Sequence, residues 1–181
     1  MIRSTLVASL LALTGTMPLS AQDWALDADA SSVRAETRVF GQAVTAEFDE
    51  FEAEIRFDPE TLENARISAR VSTGSGVIAN RDFQTALVSR DGLDPQNHEE
   101  ALFVSEEIVA TDEGYEARGT LTIKGESRDA VLPFTVEISE GRAVAHGTLD
   151  VIRADYGVGG SAWAEVAPTV TLHLHIEADA V

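Results

Sequence analysis

Two histidines two residues apart, His173 and His175, are the clearest candidates for chemistry in this sequence. On a strand that spacing places both imidazoles on one face, where with a carboxylate they could hold zinc or copper. Leu172, Leu174 and Ile176 claim the opposite, inward face. The histidines are therefore expected to point out into water without a metal. His98 and His146 read as isolated surface or turn residues. The acidic pairs Glu99-Glu100 and Glu106-Glu107 suggest acid–base work, but neighbours on a strand face opposite ways. They read as solvated side chains.

Nucleophilic catalysis has little to build on. The chain has no cysteine and no G-x-S-x-G elbow, and Lys124 is its one lysine. Gly157-Val158-Gly159-Gly160 lacks the following helix that a dinucleotide site requires. The chain is read as non-enzymatic, with no catalytic residue, no catalytic cofactor and no metal.

The elements that position these residues are strands. Val33, Ala35, Thr37 and Val39 alternate with charged residues, as do Phe51, Ala53, Ile55 and Phe57. Ile67, Ala69 and Val71 repeat the pattern, then Tyr115, Ala117, Gly119, Leu121 and Ile123. Leu132, Phe134, Val136 and Ile138 follow, and Val170, Leu172, Leu174 and Ile176 close the series. Period two over so many runs means strands with one wet face and one buried face. Asp58-Pro59-Glu60, Asp112-Glu113-Gly114, Lys124-Gly125-Glu126 and Glu140-Gly141-Arg142 are short turns between them. The expectation is all-β, an antiparallel barrel of about eight strands. One segment departs from it: Asn80–Leu93 carries Phe83, Leu87 and Val88 at helical spacing. Asn80 suits an N-cap and Gly92 a stop, so a single short α-helix of about three turns is expected in this connection, across one opening or side of the barrel.

Residues 1–21 are set apart. Arg3, the apolar run Leu6–Leu13 and the small residues ending at Ala21 read as a secretory signal peptide, which makes the protein exported. Residues 22–181 then form one domain. Arg3 is the leader's one charge, so that domain carries 12 basic against 31 acidic side chains, a net charge of −19. Such a surface repels phosphate backbones, which argues against nucleic acid as a partner.

The inner surface is the remaining place for function. Phe48, Phe51, Phe57, Phe103 and Phe134 are mixed there with the small Ala35, Ala53, Ala69, Ala117 and Gly119. An apolar cavity suited to a hydrocarbon chain and a solidly packed core both satisfy this pattern.

An ordered set of motifs spans nearly all of residues 22–181. It runs through Trp24-Ala25-Leu26-Asp27, Phe48-x-x-Phe51, Ile55-Arg56-Phe57-Asp58-Pro59, Asn80-Arg81-Asp82 and Phe103-Val104-Ser105. It continues through Gly119-Thr120-Leu121-Thr122-Ile123-Lys124-Gly125, Val131-Leu132-Pro133-Phe134 and Arg153-x-Asp155-Tyr156-Gly157. In these the chain resembles the YceI-like family of periplasmic, polyisoprenoid-binding, lipocalin-like barrels. The resemblance implies an eight-stranded barrel that carries or stores a polyprenyl lipid, sometimes a quinone, without catalysis. It implies a periplasmic location, an association with b561-type membrane cytochromes in some relatives, and frequent homodimers. An accessory protein with a filled barrel, docking such a redox partner, is the alternative role.

The expected apolar lining is Val39, Phe48, Phe51, Ile55, Phe57, Val71, Phe83, Leu87, Phe103, Leu121, Ile123, Phe134, Val136, Leu172 and Leu174. Arg81, Asp82, Arg153, Asp155 and Tyr156 are the candidates for contacting a headgroup, or for bracing loops by pairing Arg81 with Asp82 and Arg153 with Asp155. The chain departs from the family pattern at Val39, where a histidine is usual, at Ala46 and Ala53, where glycines are usual, and at Glu99, where a proline is usual.

Overall fold

The structure is a computed structural model that describes residues 21–181. The proposed signal peptide lies almost wholly outside the described residues. Ten strands form one antiparallel sheet: β1 (Asp23–Val39), β2 (Gln42–Phe48), β3 (Phe51–Arg56), β4 (Arg66–Ser72), β5 (Gly76–Val77), β6 (Glu100–Thr111), β7 (Gly114–Ile123), β8 (Glu126–Ser139), β9 (Arg142–Ile152) and β10 (Thr169–Ala180). Pairing of β10 with β1 closes the sheet.

Both β2 and β3 run antiparallel to β1, β2 along its second half and β3 along its start. They are one stave interrupted at Asp49-Glu50. In the same way β4 and β5 are one stave interrupted at Thr73–Ser75, pairing with β3 and β2 respectively. The barrel therefore has eight staves, in agreement with the sequence, and its lipocalin-like closure leaves no long edge.

Strand direction sorts the connections. One end receives both termini, the connection 57–65 and the turns at 112–113 and 140–141. The other receives the β1–β2 turn, residues 73–99, the turn at 124–125 and the connection 153–168.

Three aromatic rings pack together at the first end. Phe57 meets Tyr115 edge-on at 5.0 Å and Phe134 at 5.8 Å, while Tyr115 stacks on Phe134 at 5.5 Å. The Trp24 indole N–H donates to the Phe57 carbonyl at 2.8 Å, which ties β1 to the chain leaving β3. Ala117 is fully buried in this packed region, and Gly119 faces a bulge in β6 between Ser105 and Glu107. Neither residue lines open space, contrary to the expectation.

The helix α1 (Arg81–Leu87) is shorter than its spacing suggests, two turns in place of three. Asn80 caps it as expected, its side-chain oxygen accepting from the Asp82 and Phe83 amides at 2.9 and 3.2 Å. The end comes early because later groups take its last carbonyls. The Ser89 hydroxyl donates to Ala86 O at 2.8 Å and the Leu93 amide to Leu87 O at 2.7 Å. Gly92 fits this reversal, since a Cβ there would overlap the Ala86 and Leu87 carbonyl oxygens.

Candidate functional site: an apolar cavity with one covered mouth

Inside the barrel is a continuous cavity of about 460 Å³. Its wall includes Val39, Phe48, Phe51, Ile55, Phe57, Val71, Phe83, Leu87, Phe103, Leu121, Ile123, Phe134, Val136, Leu172 and Leu174. The space exists because other wall positions are small. Ala35, Ala46, Ala53, Ala69, Ala145 and Gly147 line it where larger side chains would meet across the barrel. Ala46 and Ala53 thus narrow it by only a methyl group each relative to glycine, and Val39 keeps its position apolar.

β9 supplies a share of the wall that alternation did not reveal: Ala143, Ala145, Gly147, Leu149 and Val151. Its inner residues are so small that they barely contrast with the outer Val144 and Thr148.

At the mouth, α1 lays Phe83, Ala86 and Leu87 over the opening beside Ile78 and Leu93. The fit is close at Gly76, where a Cβ would stand 2.8 Å from Phe48 Cε1 and 2.9 Å from Leu87 Cδ2. The connection 153–168 adds Tyr156, Val158, Trp163 and Val166 to the lining, and its Gly159 amide donates to Asp91 O at 2.6 Å. Phe40 marks the lip, 73% exposed and held at φ +51°.

The five polar candidates divide. Arg153 and Tyr156 reach the cavity, whereas Arg81, Asp82 and Asp155 are exposed and do not line it. Neither expected bracing pair forms. Arg81 and Asp82 start a helix side by side, which turns their side chains apart, and Asp155 faces solvent from a 3₁₀ turn. Arg153 braces the loop by another route. Its guanidinium donates to four carbonyls: Ala167 and Val158 at 3.0 Å, Val166 at 3.1 Å and Trp163 at 3.2 Å. Lys124 joins the two mouth loops, donating to Arg90 O at 2.7 Å and Gly157 O at 2.9 Å. Tyr156 is buried, and burial pushes its phenol above the ordinary range, so it stays protonated at neutral pH and able to donate.

On the outer wall, His173 and His175 alternate on β10 with the cavity-lining Leu172, Leu174 and Ile176 and turn away from the cavity, as expected. His146 is not isolated. It stands directly across from His175 in the β9–β10 register. Below them Arg142 gathers Glu177, Asp27 and Asp179 at 2.7, 2.8 and 2.9 Å. This anchors β9 to β10 and to the irregular stretch of β1 between Asp27 and Ser32.

A closed antiparallel barrel, hollow and apolar within and covered at one mouth, defines the lipocalin-like class. Residues 24–178 match the YceI-like domain, and the chain belongs to that family. A UPF0312 protein of Pseudomonas fluorescens is 27% identical over 127 residues, covering 63% of this chain and 64% of the relative. The chain thus matches just under two thirds of that relative's length. Among solved structures, Burkholderia cenocepacia BcnA superposes with a TM-score of 0.79 at 25% identity, over 84% of this chain and 98% of that one. A polyisoprenoid-binding domain from Saccharophagus degradans, described as implicated in plant cell wall breakdown, shares the fold with a TM-score of 0.67 at 14% identity, over 88% and 99% of the two chains.

Proposed function

We propose that this protein is a non-catalytic carrier or store for one polyisoprenoid-type lipid held in the barrel. The observation that carries the reading is the continuous apolar cavity of about 460 Å³, within the range of about 300–1,000 Å³ usual for small-molecule sites. A polyisoprenoid-binding domain among the structural neighbours and membership of the YceI-like family support it.

The energetics need no reaction and few hydrogen bonds. Each methylene-sized group leaving water contributes about 0.8 kcal/mol. Ten such groups reach about 8 kcal/mol, the scale of a micromolar complex before the entropy of association is subtracted. The tail fills the barrel toward the aromatic floor, and the headgroup lies at the covered mouth. Arg153 spends its donors on carbonyls, so the Tyr156 hydroxyl is the better contact for a quinone oxygen or another polar head.

The finer reading places the protein in the periplasm after export, receiving or delivering a quinone-like lipid near a b561-type cytochrome, as a monomer or a homodimer. The alternative of a filled docking barrel requires a solid interior, and the cavity weighs against it.

Native mass spectrometry of the protein purified from a Gram-negative host tests the proposal, with organic extraction of whatever co-purifies. A stoichiometric apolar adduct supports the carrier. A clean apo mass that ubiquinone and polyprenols leave unchanged overturns it.

A further inference from the structure

His146 on β9 and His175 on β10 face each other on the outer wall, their rings 4.8 Å apart and tilted by 37°. Their Nδ1 atoms are 3.4 Å apart. The other nitrogen of His175, Nε2, lies 3.0 Å from Glu177 Oε1. Glu177 also pairs with Arg142 at 2.7 Å, which turns its carboxylate to accept from His175. In the tautomer that donates from Nε2 to Glu177, Nδ1 presents a lone pair toward His146.

At 3.4 Å the two ring nitrogens can share a long hydrogen bond. The same separation also suits a chelate. Two Zn–N bonds of about 2.05 Å at the tetrahedral angle put their nitrogens about 3.3 Å apart. The carboxylate behind His175 completes the carboxylate–histidine–metal arrangement that fixes tautomer and ring orientation at metal sites.

We propose that His146 and His175 form a two-imidazole site for a zinc ion on the outside of the barrel, with Glu177 as the positioning residue behind His175. The ion would sit in the depression left where β1 departs from regular pairing, beside Asp29, Ser31, Glu47 and Asp49. Arg34 shares that depression, but acidic groups outnumber it and favour a cation. Among the described residues no third histidine, cysteine or carboxylate closes the ligand set, so water fills the other positions and the site is exchangeable. His173, the other member of the H-x-H pair, lies opposite Thr148 and Arg34 and has no facing imidazole. The proposal is independent of what the cavity holds.

The test is a titration of the purified chain with zinc chloride against a chromogenic chelator, with cobalt(II) absorption as a readout of geometry. One zinc per chain is expected, with a cobalt(II) spectrum that changes on binding and reverts when zinc displaces it. His146→Ala and His175→Ala should each weaken binding at least tenfold, and Glu177→Gln by about 10–100-fold. His173→Ala should leave it within twofold. Glu177 also holds Arg142, so Glu177→Gln carries a risk to the fold. His146→Ala, whose ring contacts only His175 among the hydrogen bonds described, carries the decision, with circular dichroism as the folding control. An absence of saturable zinc binding overturns the proposal. So does a loss in His173→Ala equal to that in His146→Ala.

Discussion

The Arg153 guanidinium lies 5.7 Å from the centre of the Trp163 ring and donates to the Trp163 carbonyl at 3.2 Å. One side chain thus holds the same residue by ring and backbone, while three more donations reach Val158, Val166 and Ala167. The connection 153–168 has no helix or strand of its own beyond two 3₁₀ turns, so these bonds shape the mouth.

Arg153→Ala should therefore loosen the mouth more than the barrel. Bonds to a charged donor contribute about 1.5–3 kcal/mol each, but water replaces some of them at a half-buried site. A net loss of about 2–4 kcal/mol is expected in urea unfolding. Hydrogen exchange should rise over residues 157–168 and stay unchanged in β7 and β8. Uniform protection across the variant would refute this role. Lysine cannot replace four donations from a planar fork, so Arg153→Lys should restore only part of the loss.

Filling the cavity separates ligand binding from folding. Ala53 and Ala69 pair across β3 and β4 and both face the open interior. Ala69→Phe would project into that space beside Phe103, changing stability by no more than about 1–3 kcal/mol. Lipid retention, measured by extraction, should drop at least tenfold. Phe57→Ala is the contrasting case. It removes a ring that is 4% exposed and wedged against Tyr115 and Phe134, and should cost about 3–5 kcal/mol. Retention unchanged in Ala69→Phe would count against the proposed lipid occupying this wall.

These two regions differ in how far the sequence exposes them. Alternation locates a stave when its inner residues are large, as with Phe51, Ile55 and Phe57 or Leu172, Leu174 and Ile176. It fails for β9, whose inner Ala143, Ala145 and Gly147 give no contrast. It also fails for β6, where the bulge between Ser105 and Glu107 shifts the phase and Leu102 and Val104 face outward. Inward positions were readable, but periodicity is the same for a packed and a hollow barrel. The hollowness depends on which small residues face each other across the interior. The mouth was less legible still, because Arg153 binds carbonyls and those bonds leave no mark in side-chain identity. The facing of His146 and His175 depends on the β9–β10 register, which neither strand specifies alone.

Acid should weaken the link between β9, β10 and β1. Arg142 holds the Asp27 and Glu177 carboxyls below their ordinary values, chiefly by hydrogen bonds. Groups lowered in this way stabilise the fold above their unfolded values near 4, and that stabilisation is lost as pH falls through the lower folded values. Arg142→Ala leaves three carboxylates gathered without their cation, so its melting temperature should lie below wild type at pH 7. As pH falls through the lowered values of Asp27 and Glu177, wild type loses their pairing with Arg142, and the gap should narrow toward pH 3. Thermal melts at pH 7, 5 and 3 decide the matter, since a gap constant with pH would assign Arg142 a packing role instead.

Gly119 tests whether the β6 bulge is required by its partner strand. It pairs with Ser105, where the β6 register shifts, and a Cβ on it would overlap the Val104 carbonyl and stand 2.7 Å from Ser105 Cα. Both obstacles are backbone, so no flexible side chain can move aside. The Ser105 hydroxyl also accepts from the Ile67 amide at 2.8 Å, so a shift of β6 would disturb β4 as well. Gly119→Ala should cost about 1–3 kcal/mol, against a gain of a few tenths expected from alanine's lower backbone entropy in the unfolded chain. The sign of the change in urea unfolding is the decisive result. A stabilised variant would mean that β6 and β7 can separate slightly at the bulge and that the glycine is dispensable there.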